Sequence, residues 1–179
     1  MELETERLWL REAEAEDWRA IHEYASDPAV TVHTHWGPNS EQETRDYVKQ
    51  LITEQQQPRT VYELVITLKS DGSLIGGCGL HRDGYNAELG YCLNPAYWGS
   101  GYAAEASRAL LAVGFAELGI HRIYAKCRPE NTASASVMRT IGMKQEGYLR
   151  EHWWYKGKFH DSLLYSILHS EHESTPSKP

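Results

Sequence analysis

Residues 88–119 constrain the fold more than any other part of the chain. Glu88-Leu-Gly-Tyr-Cys-Leu93 alternates as a strand, Asn94-Pro95 breaks it, and Trp98-Gly99-Ser100-Gly101-Tyr102-Ala103 opens a long helical pattern. Ala103, Ala106, Leu110 and Val113 fall on one stripe of that helix, with Leu111, Phe115 and Leu118 beside it. Gly119 stands where a left-handed residue ends such a helix. A face this apolar needs a sheet to lie on. The turn before it has a chemistry of its own. Glycines let the backbone approach a ligand closely, and the amides of a first helical turn have no internal partner. Free donors at the positive end of a helix dipole suit a phosphate group. Gly101 is not followed by the Lys-Ser/Thr of a P-loop, and Ala104 stands where the dinucleotide fingerprint needs a third glycine.

At 179 residues, 41% hydrophobic and 24% charged, the chain is expected to be one globular domain, residues 1–170, with a polar tail, 171–179. No apolar run approaches the roughly 20 residues that span a bilayer, so no membrane association is expected. Met1-Glu2-Leu3-Glu4 is acidic and lacks the basic start of a signal peptide. Cys78, Cys92 and Cys127 are odd in number and form no C-x-x-C, which argues against a disulfide scaffold or a zinc site and for a reducing cytoplasm. His33-Thr-His35 has no third ligand near it and reads as a polar loop; no metal is expected. The formal charge of −7 disfavours nucleic acid and is compatible with amine-bearing or basic partners.

Local signals order the remainder. Leu8–Arg11 reads as a strand and 16–26 as a helix stopped by Asp27-Pro28, followed by an aromatic, His-containing loop at 29–39. Ser40 and Glu43 form a capping box that starts a helix to about Gln57. Strands follow at 61–68 and 74–80 around Ser70-Asp-Gly-Ser73, then the strand at 88–93 and the helix at 102–118. Residues 121–127 form a strand, Asn131 caps a short helix to Ile141, and strands at 143–155 and 159–169 flank Lys156-Gly157-Lys158.

The turn Trp98-Gly99-Ser100-Gly101-Tyr102-Ala103 resembles the acetyl-CoA pyrophosphate loop of the GNAT N-acetyltransferases, Q/R-x-x-G-x-G/A, with Trp98 in place of the usual Gln or Arg. Trp-Gly-x-Gly-Tyr-Ala-x-Glu-Ala is similar to the RimJ/RimL-like ribosomal-protein group of that family. So are Asn131-x-x-Ser134-x-x-Val137-x-x-x-x-Gly142-Met143, Glu146-Gly147-x-x-Arg150-Glu151 with Gly157, Asp161 and Tyr165, and the opening Thr5-Glu6-Arg7-Leu8-x-Leu-Arg11. The resemblance implies an α/β (α+β) GNAT fold, a mixed central sheet of about seven strands with helices on both faces. It further implies that the fourth strand (87–93) and the fifth (121–127) splay apart to hold acetyl-CoA.

It also implies roles. The backbone of Tyr91, Cys92 and Leu93 would pair with pantetheine and polarise the acyl oxygen. Trp98 to Ala104, chiefly the amides from Ser100 to Ala104, would hold the pyrophosphate. Asn131 would both cap its helix and face the cosubstrate. Many relatives carry a Tyr acid where this chain has Met138. Ser134, at i−4 on the same helix face, would then meet the CoA sulfur. Glu88 could relay protons or pair with Arg82 across a hairpin; Glu151 and His152 are rival bases. Tyr24 and Trp36 would wall the acceptor site. Cys92 and Cys127 lack a sequence-local His, so direct transfer to an amine is expected. The expected acceptor is a protein N-terminal α-amine of ribosomal type. A small-molecule amine and a non-enzymatic acyl-CoA sensor are the alternatives, and either a monomer or a homodimer is compatible.

Overall fold

In the computed structural model, residues 1–56 and 58–173 are described. Their strands are β1 (Glu2–Glu4), β2 (Leu8–Arg11), β3 (Val61–Leu68), β4 (Leu74–Asp83), β5 (Asn86–Leu93), β6 (Arg122–Cys127), β7 (Lys144–Tyr155) and β8 (Lys158–Leu168). The helices are α1 (Trp18–Ala25), α2 (Pro28–Thr31), α3 (Glu41–Glu54), α4 (Tyr102–Ala116), α5 (Thr132–Thr140) and α6 (His169–Glu173). The strands form one 8-stranded sheet in the order β1-β2-β3-β4-β5-β6-β8-β7. The expected mixed α/β architecture is present, with one strand more than the local signals indicated. That strand, β1, pairs with β2 through Glu2↔Arg11 and Glu4↔Trp9. Its residues carry no apolar run, and the neighbouring backbone rather than side-chain pattern makes it a strand.

Strand periodicity divides the interior in two. Leu64 and Ile66 of β3 join Leu80, Leu89 and Ile123 under Leu110, Leu111 and Phe115 of α4 and Met138 of α5. Val65, between them, faces the other way, into a second core with Ile21 and Tyr24 of α1 and Val48 and Leu51 of α3. On α4 the buried stripe runs through Ala104 rather than Ala103, then Ala106, Leu110 and Val113. Gly119 has φ +63 and ends the helical run as expected.

The loop at 29–39 contains structure that its composition concealed. Asp27, expected only as a stop, accepts a hydrogen bond from the Ala29 amide, and Pro28 sits in the first turn of α2. Ser40 and Glu43 make the expected capping box for α3, which ends at Glu54; its expected end at Gln57 lies outside the described residues. Of the expected tail, 171–173 belong to α6, where Glu171 accepts from the Leu168 amide, and 174–179 lie outside the described residues. No helix of the described residues is long and apolar enough to cross a membrane.

One feature of the sheet matters most for function. β5 and β6 run parallel and pair only at Asn86↔Arg122, Ala87↔Ile123 and Glu88↔Tyr124. Both strands continue, to Leu93 and Cys127, without pairing further with each other, while β5 stays paired to β4 and β6 to β8. The sheet therefore opens beyond Glu88, and the free edge of β5 leads to the turn at 98–101.

Candidate active site

The turn is held in a shape that only glycine adopts cheaply. Gly99 and Gly101 have φ +73 and +81, and a Cβ on Gly99 would meet nothing within 4 Å. The first amide of α4 to find an intrahelical partner is that of Glu105, 3.1 Å from the Gly101 carbonyl. Among the described residues no protein acceptor faces the amides from Ser100 to Ala104. Such a cradle of free donors around an open glycine surface fits a diphosphate. Trp98 does not replace a Gln or Arg chemically. Its Nε1 donates to the Leu93 carbonyl at 2.8 Å and ties the turn to the end of β5.

A clasp from the N-terminal segment fixes the same turn. The Glu105 carboxylate accepts from Thr5 Oγ1 (2.6 Å), the Arg7 amide (2.8 Å) and Arg7 Nε (2.7 Å). Arg7 Nη1 donates to the Ser100 carbonyl at 3.0 Å, and its guanidinium lies 4.4 Å from the centroid of the Tyr102 ring. Two sequence motifs nearly a hundred residues apart are thus one contact.

In the gap between β5 and α5, the Tyr91 hydroxyl lies 2.9 Å from Ser134 Oγ and 3.0 Å from the Ser134 carbonyl. Burial keeps the Tyr91 phenol protonated far above neutral pH. The Asn131 side chain accepts from the Ser134 amide at 3.1 Å, the expected cap. Met138 is fully buried in the core and leaves this wall to Ser134 and Tyr91. Burial pushes the Cys92 thiol up to about 12 and that of Cys127 up to about 11, so neither is a thiolate nucleophile at neutral pH.

The opposite face of the sheet carries a group of titratable side chains. Glu88 does not pair with Arg82: the register places Glu88 opposite His81, while Arg82 sits opposite Ala87 and donates from Nε to the Gly84 carbonyl at 2.9 Å. Glu88 is instead 3.2 Å from Lys126 Nζ and lies against the Tyr124 hydroxyl. A pair absent from the sequence reading, Glu63 of β3 and His81 of β4, stands next to it, with His81 Nε2 2.5 Å from Glu63 Oε1. The only signal for it was a Glu inside an otherwise apolar strand, set against a glycine-rich partner. Tyr24 is 5% exposed, and its hydroxyl would lie 3.8 Å from a Cβ on Gly77.

Arg150, Glu151 and His152 form a bulge in β7, where pairing jumps from Leu149↔Ser162 to Trp153↔His160. Glu151 takes φ +48 there, with its amide held by Asp161 Oδ1 at 2.7 Å. His152 Nδ1 is 3.1 Å from Ser162 Oγ, and burial lowers its pKa. The 29–39 loop docks on the β7–β8 hairpin: Lys156 Nζ donates to the Thr31 carbonyl at 2.8 Å and the Trp36 carbonyl at 3.2 Å, and His35 packs 5.0 Å from Trp153. Between them lies a cleft of about 450 Å³, lined by His33, Arg128, Glu130, Glu151, Phe159 and Asp161 among others. Thus Glu151 borders the cleft, Trp36 packs against the second core beside Tyr24 rather than lining the cleft, Glu88 stands at the sheet opening and Ser134 on the far side of the gap; they do not form one cluster. Among the described residues no group of three or more His, Cys, Asp or Glu could hold a metal ion.

The family profile described as the acetyltransferase (GNAT) domain matches residues 7–144. An uncharacterized N-acetyltransferase of Bacillus subtilis (strain 168), YnaD, is 34% identical over 96% of this chain and 99% of its own length. The crystal structure of a GNAT-family acetyltransferase from Bacillus anthracis superposes with a TM-score of 0.86 at 36% identity, covering 95% of this chain and 99% of that one. More distantly, spermidine N(1)-acetyltransferase of Escherichia coli (strain K12) is 24% identical over 95% of this chain and 90% of its own length. An acetyltransferase of Salmonella typhimurium that modifies the N-terminal serine of a 50S ribosomal subunit protein shares the fold, with a TM-score of 0.82 at 23% identity, covering 92% of this chain and 96% of that one. The chain belongs to the GNAT acetyltransferase family. It is an acetyl-CoA-dependent N-acetyltransferase.

Proposed function

We propose that the chain binds acetyl-CoA with its diphosphate on the amides from Ser100 to Ala104 and its pantetheine along Tyr91-Cys92-Leu93. The acetyl group passes directly to the N-terminal α-amine of a protein, as in the RimJ/RimL-like group. Ser134 meets the sulfur, and Asn131 supports it. The whole of residues 1–170 serves as one catalytic domain in a reducing cytoplasm, where Cys78, Cys92 and Cys127 stay free. The observation that carries the acceptor assignment is the open cleft between the 29–39 loop and the β7–β8 hairpin. Trp154 and Phe159, both exposed, extend its wall with apolar surface suited to an extended peptide. Its link to the sheet opening is Trp153, which contacts His35 and, at 5.5 Å, Lys126, the partner of Glu88.

A second reading, acetylation of a polyamine, is favoured by the carboxylate of Glu63 on the same face of the sheet as Glu88 and by the spermidine-acetylating relative. Competition decides between them. With acetyl-CoA limiting, equal concentrations of spermidine and a peptide with an N-terminal serine are supplied and the acetylated products weighed by mass spectrometry. Acetyl-peptide in excess supports the protein acceptor; acetylspermidine alone would refute it.

A further inference from the structure

Glu63 and His81 belong to none of the motifs that identify the family, yet the acceptor face converges on them. Glu63 turns to the side of α1 and α3, and its carboxylate occupies the space a side chain on Gly79 would need. A Cβ there would fall 2.4 to 2.6 Å from Glu63 Cδ, Oε1 and Oε2. Gly79 pairs with Gly90 of β5, where an added Cβ would meet nothing within 4 Å. Gly90 lies just past Glu88, the last β5 residue paired with β6. The carboxylate therefore lies flat on the sheet beside a window without side chains, at the point where the sheet opens. Its side chain is 19% exposed; that of its partner His81 is 56% exposed.

An amine acceptor is mostly ammonium at neutral pH and must lose a proton before it can attack. Glu88 is neutralised by Lys126. We propose, on the acetyl-transfer reading above, that Glu63 receives the acceptor's ammonium at the Gly79–Gly90 window and that His81 passes the proton to solvent. With Nε2–H donating to Oε1, Glu63 Oε2 faces the ammonium and His81 Nδ1 is free to exchange with water. One proton leaves the ammonium for the pair. The nitrogen lone pair then forms the C–N bond as the C–S bond breaks, and the second nitrogen proton ends on the departing thiolate. The sum is one amide, one thiol and one proton released through His81.

The charges around the pair are those of Glu88 on β5, Glu54 on α3 and, through Glu88, Lys126 on β6, with Tyr24, Tyr47, Cys78 and Cys92 as neutral neighbours. The hydrogen bond that His81 donates to Glu63 raises the His81 pKa against the effect of burial, with the charges of Glu63, Glu88 and Glu54 acting in the same direction.

The test is the pH profile of kcat/KM for the amine in the wild type, Glu63→Gln and His81→Gln. Acetyl-CoA is the donor, spermidine and an N-terminal-serine peptide are the probes, and acetyl-CoA affinity is measured in parallel. Glu63→Gln is expected to lose about 10²-fold at pH 7, a typical share for a positioned base. The deficit should shrink toward pH 10, where the amine arrives neutral, with acetyl-CoA affinity unchanged. His81→Gln is expected to lose the acidic inflection. Gly79→Ala, which displaces the carboxylate without altering a titratable group, should repeat the Glu63→Gln profile. Variants that match the wild type at every pH, or a loss equal at all pH values, would overturn the pair while leaving acetyl transfer intact. A wild type that acetylates neither probe would overturn the acetyl-transfer reading, and the pair with it.

Discussion

Replacing Glu105 with Ala should loosen the 98–101 turn from a point outside it. The carboxylate side chain is 16% exposed and accepts three hydrogen bonds, from Thr5 Oγ1, the Arg7 amide and Arg7 Nε. Hydrogen bonds to a charged group contribute about 1.5–3 kcal/mol each when well buried. Arg7 is 43% exposed, so solvent screens its share to about 1 kcal/mol or less. Because the bonds share one acceptor and are not additive, the loss should be about 2–3 kcal/mol. In a chain of this length that lowers Tm by roughly 4–12 °C. Acetyl-CoA affinity should fall as well, since Arg7 would no longer be held on the Ser100 carbonyl and the Tyr102 ring. Burial works to raise the Glu105 pKa, but the hydrogen bonds from Thr5 and Arg7 outweigh it and hold the carboxyl below its usual range. A depressed carboxyl stabilises in full above its unfolded pKa, about 4.3, and loses that stabilisation as pH falls through the folded value. The Tm gap between wild type and variant should therefore be constant near neutrality and close in acid. Thermal denaturation across pH, with calorimetric titration of acetyl-CoA, reads both effects. A variant with wild-type Tm and wild-type affinity would refute the clasp.

Further outcomes can be checked with single substitutions. Tyr91→Phe removes the hydroxyl 2.9 Å from Ser134 Oγ at a cost of about 1 kcal/mol in stability, and kcat should fall while the KM for acetyl-CoA changes little. Steady-state kinetics against the Ser134→Ala variant check whether the two act together. Glu12→Ala strips the carboxylate from Arg59, whose side chain is 5% exposed and whose Nη1 lies 2.6 Å from Glu12 Oε1. The uncompensated guanidinium should cost about 3 kcal/mol, read as a drop in denaturant midpoint at pH 7, with acetyl-CoA affinity retained in the folded protein.

What could be read from the sequence was what local rules govern. The Ser40–Glu43 box, the Asn131 cap and the Gly119 terminus depend on residues within a turn of each other, and all three are in place. The glycine turn between β5 and α4 was legible for the same reason, since strand, turn and helix are contiguous. The acid–base face was not. Whether Glu88 meets Arg82 or His81 depends on the β4–β5 register, and alternation places Arg82 on the other face. Glu63 and His81 are 18 residues apart and Arg7 and Glu105 are 98 apart, brought together only by the assembled sheet. Asp27-Pro28 stops one helix and begins the next, and a stop signal alone does not distinguish the two.

The central claim is that acetyl-CoA bound at the 98–104 turn is the donor for amine acetylation. The most direct measurement is free-thiol release from acetyl-CoA by the wild type and by Gly101→Glu, supplied with N-terminal peptides and spermidine. Gly101→Glu puts a side chain on a backbone with φ +81, which L residues rarely adopt, with its Cβ 3.5 Å from Arg7 Nη2, so it strains the turn and adds a negative charge beside it. Amine-dependent thiol release by the wild type, and its loss in Gly101→Glu, are the expected results. Equal release by both, or no acetyl-CoA binding by the wild type, would contradict the claim.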